Sequence, residues 1–147
     1  MSKQMKFNKL AQGVTLGLLL GMTGMAYAAP ATNAVPTGNT NVTGANTVTT
    51  GGTTAAPVMT VTQDKTVNTA QINWNTFNIG KDATVNFKQA HSGDTMINNV
   101  VGNDMSQLYG KMNASGNLIL INPNGVLFGN GAAINVGGLA VYAAKST

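Results

Sequence analysis

Residues 118–128 read LILINPNGVLF, in which two short apolar runs flank a four-residue turn signal. The signal comprises Asn122, Pro123, Asn124 and Gly125. Proline fixes φ at the second position of a turn, asparagine tolerates positive φ at the third, and glycine closes the turn. The sequence therefore predicts a tight turn between two strands. Taken alone, the motif is also typical of any solenoid corner whose asparagine side chains bond to backbone amides.

The same alternation of short apolar runs with polar residues continues on both sides of this stretch. Apolar bursts alternate with asparagine in triplets such as Ile72-Asn73-Trp74, Val85-Asn86-Phe87 and Ile134-Asn135-Val136. A period of two places both apolar residues on one face of a strand and asparagine on the other. Because no window sustains helical spacing, the pattern predicts an all-β fold.

The apolar bursts also return in phase about every twenty residues. Ile97, Leu118 and Leu139 are separated by 21 and 21 residues. Such a period favours a parallel β-helix, in which each coil stacks on the next. Periodicity alone leaves an antiparallel sandwich open, since its turn signals recur at similar intervals.

Composition excludes several functional classes. The 147 residues include no cysteine, one histidine, eight basic residues that are all lysine and four acidic residues that are all aspartate. Disulfide scaffolds, zinc ribbons and thiol nucleophiles are therefore excluded. His91, in a glycine-containing loop, is interpreted as a solvated residue. No enzymatic activity, cofactor or metal is predicted.

A polysaccharide lyase or hydrolase is the enzymatic alternative, because β-helices can carry such sites. It would need clustered carboxylates or a calcium ion with a strong base. The four aspartates stand at least ten residues apart: Asp64, Asp82, Asp94 and Asp104. The sequence disfavours this alternative.

Residues 1–28 have the order of a secretory signal peptide. Lysines at positions 3, 6 and 9 precede an uncharged apolar stretch, which ends in Ala26-Tyr27-Ala28 before Ala29. This order predicts export by the Sec translocon and cleavage by signal peptidase after Ala28. The rest of the chain keeps five lysines and four aspartates, a formal net charge of +1, scattered singly. No nucleic-acid partner is predicted.

Residues 29–57 are rich in threonine, glycine and asparagine and carry no charge. Few large apolar side chains are present to offset the entropy of ordering, so we expect a flexible segment. A domain boundary is placed near Pro57, with an ordered domain over residues 58–147. An edge strand around 58–62 is the alternative for the last few residues.

Three stretches of the chain resemble the amino-terminal secretion domain of filamentous haemagglutinin-like exoproteins, which belong to two-partner secretion systems of Gram-negative bacteria. They read INWNTFNIGKDATVNF, INNVVGNDMSQLYGKMNASGNLILINPNGVLFG and AAINVGGL. The resemblance implies a right-handed parallel β-helix of the pectin-lyase-like type. It also implies recognition in the periplasm by a dedicated outer-membrane β-barrel transporter, followed by export to the cell surface.

Within this resemblance, the turn at 122–125 is the candidate secretion motif. Trp74 and Phe77 are expected to be core or cap aromatics over the first coil. Residues 97–101 read INNVV where some members carry a second turn motif, so that region is closer to the high-molecular-weight adhesin branch.

Secretion domains of this kind are longer than the present chain, so a truncated solenoid is expected. A host-surface receptor would be bound only through downstream regions. The leading function is a secretion-targeting module. The alternative is a small secreted adhesin or matrix-type structural protein acting by itself.

Overall fold

The structure is a computed structural model that describes the backbone of residues 4–8, 18–20 and 27–143 and the side chains of residues 27–143. These residues form strands β1 (Gln4–Asn8), β2 (Leu18–Leu20), β3 (Thr40–Thr43), β4 (Thr47–Gly52), β5 (Pro57–Thr62), β6 (Thr69–Trp74), β7 (Thr84–Lys88), β8 (Thr95–Val100), β9 (Ser106–Leu108), β10 (Lys111–Ala114), β11 (Asn117–Ile121), β12 (Val126–Phe128), β13 (Ala133–Asn135) and β14 (Gly138–Tyr142). Within this part of the chain, no helix has the length and apolar character needed to cross a bilayer.

The strands stack as a parallel β-helix, which confirms the predicted fold class. The first coil contains β5 and β6, the second β7 to β9, the third β10 to β12 and the fourth β13 and β14. Each strand pairs in parallel with its equivalent in the next coil, which builds three sheets along the solenoid. Parallel pairing of this kind excludes the antiparallel sandwich.

Alternating side chains fill the interior in columns, one residue from each coil. The strand pattern alternates buried and partly exposed positions in β5, β6, β8 and β11. One column contains Met59, Val85, Met112 and Ile134, and a second contains Ala70, Met96, Leu118 and Leu139. Burial of these side chains at about 25 cal/mol per Å² of apolar surface is the main stabilising term.

The coil register corrects the predicted phase by one residue. Leu118 aligns with Leu139 as expected, but its partner in the preceding coil is Met96 and not Ile97. Ile97 lies on the outer face. A slip of one residue exchanges the two faces of a strand, so the interior column runs through Met96.

The segment 29–57 also departs from the prediction of a flexible linker. Strand β4 pairs antiparallel with β5, and β3 pairs antiparallel with β6. The pairing crosses the boundary placed near Pro57, so no domain boundary lies there. Threonine and valine are good strand formers, and backbone pairing along an existing sheet edge orders them without a large apolar core of their own. The two strands therefore cap the first coil.

Asp64 connects this cap to the first coil through hydrogen bonds. Its carboxylate accepts hydrogen bonds from the Ala45 amide at 2.9 Å, from the Thr66 hydroxyl at 2.7 Å and from the Thr66 amide at 2.9 Å. These bonds, that from Ala45 first, lower the pKa of Asp64 from an ordinary 3.8 to about 2. The Asp64 amide in turn donates to Asn46 Oδ1 at 2.9 Å, and Asn46 is buried.

Asn98 is an asparagine on the inside of the solenoid. It occupies an interior column between Ile72 and Leu120. Trp74 Nε1 donates to Asn98 Oδ1 at 3.0 Å, and both side chains are fully buried. An asparagine in an apolar column is tolerated because its oxygen is bonded to the indole.

The predicted signal peptide (the leader, residues 1–28) contains two short strands. Strand β1 pairs antiparallel with β14, and β2 pairs antiparallel with β12. The other residues of the predicted signal peptide up to Ala26 lie outside the described residues, whereas Tyr27 and Ala28 of the cleavage motif lie within them. Its removal after Ala28 stays a prediction.

We expect Asp64→Asn to loosen the cap, because one carboxylate oxygen and its charge are lost. The lowered pKa means that the carboxylate stabilises the folded state above pH 3.8, and that this contribution is lost as the pH falls towards 2. The protection factors of the Ala45 and Thr66 amides, measured relative to the intrinsic exchange rate at each pH, should be lower in the variant and should no longer change with pH in that window. The matched control, Asp82→Asn, should leave both amides as in the parent; equal effects of the two variants would contradict the assignment.

We expect Asn98→Ala to lower the free energy of unfolding by about 1 to 3 kcal/mol, because it leaves the buried Trp74 N–H without an acceptor. Asn99 is the matched control in the same strand, since it lies on the outer face and donates only to Asn73 Oδ1 at 3.1 Å. Asn99→Ala should change stability by less than about 0.5 kcal/mol. Denaturant unfolding followed by tryptophan fluorescence measures both, and similar losses would refute the distinction.

Candidate functional site

The turn at 122–125 joins β11 to β12 at one corner of the third coil. The Gly125 amide donates to the Asn122 carbonyl at 3.0 Å, which closes the turn. Gly125 has a φ of +113°, a left-handed conformation that residues with a side chain adopt only under strain. Pro123 is exposed at the tip. The predicted tight turn is therefore present, and the left-handed φ in it belongs to Gly125.

Asn122 is the buried anchor of the turn. Its Nδ2 donates to the Asp104 carbonyl at 2.9 Å and to Ser106 Oγ at 3.0 Å, both in the preceding coil. Its Oδ1 accepts from the Asn124 amide at 3.0 Å. The Asn122 backbone amide donates to the Tyr142 carbonyl of the fourth coil at 2.9 Å. One residue therefore connects three successive coils.

The side chain of Asn124 also bonds to the preceding coil. Its Nδ2 donates to the Gly102 carbonyl at 3.0 Å and to Asn122 Oδ1 at 3.1 Å. Gly102 itself lies so close to the first coil that a β-carbon there would clash with the Asn75 carbonyl oxygen. The motif is thus stacked on a corner where the backbones of Gly102 and Asn75 lie in close contact.

A groove of about 660 Å³ opens beside this turn. One wall comes from the segment before the cap: Tyr27, Ala28, Ala29 and Pro30. The other walls are formed by residues of the three coils, Asn78, Asn103, Asp104, Met105, Gln107, Pro123 and Asn124. The predicted secretion motif and the predicted cleavage site therefore lie on the same groove.

Two of the side chains that line the groove, those of Gln107 and Asp104, carry oxygen atoms that can accept hydrogen bonds. Gln107 Oε1 is buried and has no hydrogen-bond partner, the one such side-chain atom found among residues 27–143. The Gln107 backbone is satisfied, since its amide donates to Asn78 Oδ1 at 2.8 Å and its carbonyl accepts from the Ile79 amide at 3.0 Å. The carboxylate of Asp104 stands exposed at the rim.

The other predicted residues lie away from the groove. Trp74 and Phe77 are buried in the core in edge-to-face contact, with ring centroids 5.7 Å apart. Phe77 also stacks on Phe87 at 6.4 Å. His91 is exposed, and its Nδ1 lies 3.3 Å from Oδ2 of the buried Asp94. Within residues 27–143, no cluster of three histidine, aspartate or glutamate residues could hold a metal ion.

Sequence reasoning missed the glutamine network at another corner. Gln89 Oε1 accepts from the Gly116 amide at 2.8 Å, and its Nε2 donates to the Asp94 and Asn117 carbonyls at 3.1 Å each and to Gln63 Oε1 at 3.1 Å. Like Asn122, Gln89 joins neighbouring coils through its amide group. Glutamine in a polar loop carries no local sequence signal for such a role.

We expect Asn122→Ala to lower the free energy of unfolding by about 2 kcal/mol or more, because it leaves the Asp104 carbonyl and the Asn124 amide without partners. Asn130, exposed in the next turn, is the matched control. Asn130→Ala should cost less than about 0.5 kcal/mol. Chemical denaturation of both variants tests the anchor role, and a mild Asn122→Ala phenotype would contradict it.

Comparison with known proteins connects this geometry to a family. The chain matches the TPS secretion domain over residues 32–147. A heme/hemopexin-binding protein of Haemophilus influenzae strain Rd is 38% identical over 130 residues, which cover 86% of this chain and 13% of that protein. A second H. influenzae heme/hemopexin-binding protein is 40% identical over 126 residues, again 86% of this chain and 13% of the relative.

A solved structure supports the same relationship. The HMW1 secretion domain from H. influenzae superposes with a TM-score of 0.50 at 33% sequence identity, over 62% of this chain and 23% of that one. The chain thus spans about an eighth of the curated relatives' length. The match from residue 32 onward also includes the cap strands β3 and β4. The chain therefore belongs to the TPS secretion domain family, the secretion-targeting module of two-partner secretion exoproteins.

Proposed function

We propose that this module is bound in the periplasm by the periplasmic domains of a dedicated outer-membrane transporter, before its coils have closed. The observation that carries the proposal is the family match over residues 32–147, on a chain that forms a parallel β-helix. Export to the periplasm would use the Sec translocon, and signal peptidase would cleave after Ala28. The family supports secretion through the outer membrane to the medium or the cell surface.

Binding before closure follows from the pairing of the strands. In the folded solenoid each interior strand pairs on both sides, and β3 and β4 cover the edges of the first coil. The backbone groups of these interior strands are therefore not available for addition to a strand of the transporter. In the folded module, the described strands that keep a free edge include β13 and, once the signal peptide is removed, β12 and β14. An incompletely folded chain offers the edges of the interior strands as well. Coil formation outside the cell would then favour export, because apolar burial grows with each coil.

The contact should depend weakly on ionic strength. Residues 29–147 carry a formal net charge of +1 from scattered lysines and aspartates. Among the described side chains, the one contact between a basic and an acidic group joins His91 and Asp94, and it is an ion pair only when His91 is protonated. With so few charges, strand edges and amide side chains provide the contact, and salt screens such contacts little.

The activity of a whole exoprotein would reside elsewhere. The curated relatives are heme/hemopexin-binding proteins, of which this chain spans 13%. We propose that ligand or receptor binding of that kind belongs to regions beyond the secretion module, and that this chain contributes recognition and export. No catalytic step is assigned to it.

Titration of the purified periplasmic domains of the transporter with residues 29–147 tests the proposal. The chain is added either refolded or freshly diluted from denaturant, at about 50 and 200 mM salt. We expect tighter binding by the freshly diluted chain and little change in affinity between the two salt concentrations, unlike a phosphate-steered interaction. A steep salt dependence, or tighter binding by the folded form, would instead indicate docking of the folded surface; absence of binding in every condition would favour a self-standing adhesin.

A further inference from the structure

The groove beside the turn offers acceptors and lacks a donor for one of them. Gln107 Oε1 is buried without a partner, and Asp104 presents a carboxylate at the rim. A carbonyl oxygen and a carboxylate can only accept hydrogen bonds. A buried acceptor without a partner destabilises the folded state. The groove is therefore suited to a small group with several N–H donors and a positive charge.

The segment that lines the groove is held in place just beyond it. The Asp82 amide donates to the Thr32 carbonyl, and the Gly80 amide donates to the Ala34 carbonyl, each at 2.9 Å. A β-carbon at Gly80 would clash with the carbonyl oxygens of Ala31 and Thr32, so glycine is needed for this close approach. Ala29 lies three residues before Thr32, the first residue held by these hydrogen bonds, and it lines the groove.

We propose that the groove binds the chain's own α-ammonium group, formed at Ala29 when the leader is removed. Hydrolysis of the Ala28–Ala29 peptide bond adds one water, leaving a carboxylate on Ala28 and an amine on Ala29. That amine takes up a proton at neutral pH, since its ordinary pKa is about 7.7 to 8.0. The inference rests on the predicted cleavage site and does not depend on the transporter.

Cleavage changes the donor in the groove from one amide N–H to an ammonium group with three. The ammonium can donate to Gln107 Oε1 and pair with Asp104 together, which the uncleaved amide is unable to do. Among the described residues that line the groove, the titratable groups are Asp104 and Tyr27, and Tyr27 leaves with the signal peptide. Docking would tie the segment before the cap to the corner that carries the turn at 122–125.

The experiment uses the exported, processed protein, whose amino terminus is first identified by intact mass. The pKa of the α-amino group is then measured from the pH dependence of its labelling by isotopic acetic anhydride, read by mass spectrometry of the amino-terminal peptide. We expect a pKa above that of the same chain in denaturant, with labelling at pH 7 about 3- to 10-fold slower, because the carboxylate and the amide oxygen favour the charged form.

Three substitutions separate pairing with Asp104 and Gln107 from simple burial of the α-amino group. Asp104→Asn should return the α-amino pKa most of the way to its denatured value, whereas Asp82→Asn, the same charge change outside the groove, should leave it raised. Gln107→Glu should raise the pKa further. The proposal is overturned by a mature terminus other than Ala29, by slower labelling without a raised pKa, or by equal responses to the two aspartate variants.

Discussion

Hydrogen bonds from amide side chains across the corners of successive coils are the interaction on which this structure depends. Along the sheets, backbone pairing aligns the coils, but at the corners the chain turns away and its backbone groups need other partners. Asn122, Gln89 and Asn46 supply them, each from a side chain that reaches a neighbouring segment. Loss of one such bond leaves a buried polar group without a partner.

This arrangement explains why the chain has many asparagines and few charged residues. With four aspartates, eight lysines and no other charged residues, a fully polar surface made of asparagine and threonine is the simplest expectation. Part of that polarity instead lies inside, at Asn46, Gln63, Asn98 and Asn122. Neutral amides suit this place, because one group both donates and accepts and carries no charge to desolvate.

Strand positions and the turn at 122–125 could be predicted because period-two alternation and a proline-glycine turn are local signals. The register was wrong by one residue at Ile97, since an isoleucine on the outer face and Asn98 on the inner face invert the usual pattern. The cap strands β3 and β4 were missed because their stability comes from pairing with β5 and β6 and not from their own side chains. Gln107 and the groove have no local signal at all, since they arise from three coils and the segment 27–30 meeting at one corner.

For a secretion module, a fold built from such corners has a functional consequence. Each coil needs the next to satisfy its corner amides, so the chain gains its full stability only as coils accumulate. A few neutral hydrogen bonds at each corner leave the unfolded chain free of strong charge interactions. Such a gradual gain in stability is what the proposed binding before closure requires.

The most direct test of the corner interactions is residue-resolved hydrogen exchange on residues 29–147. Three turn or loop amides are bonded to amide side chains and not to backbone: Asp64 to Asn46, Gly116 to Gln89 and Asn124 to Asn122. If these side chains hold the corners, the three amides should be protected as strongly as the amides of neighbouring strands, and should open together with them. Exchange of all three at the rate of exposed loops, while the strands stay protected, would contradict the account.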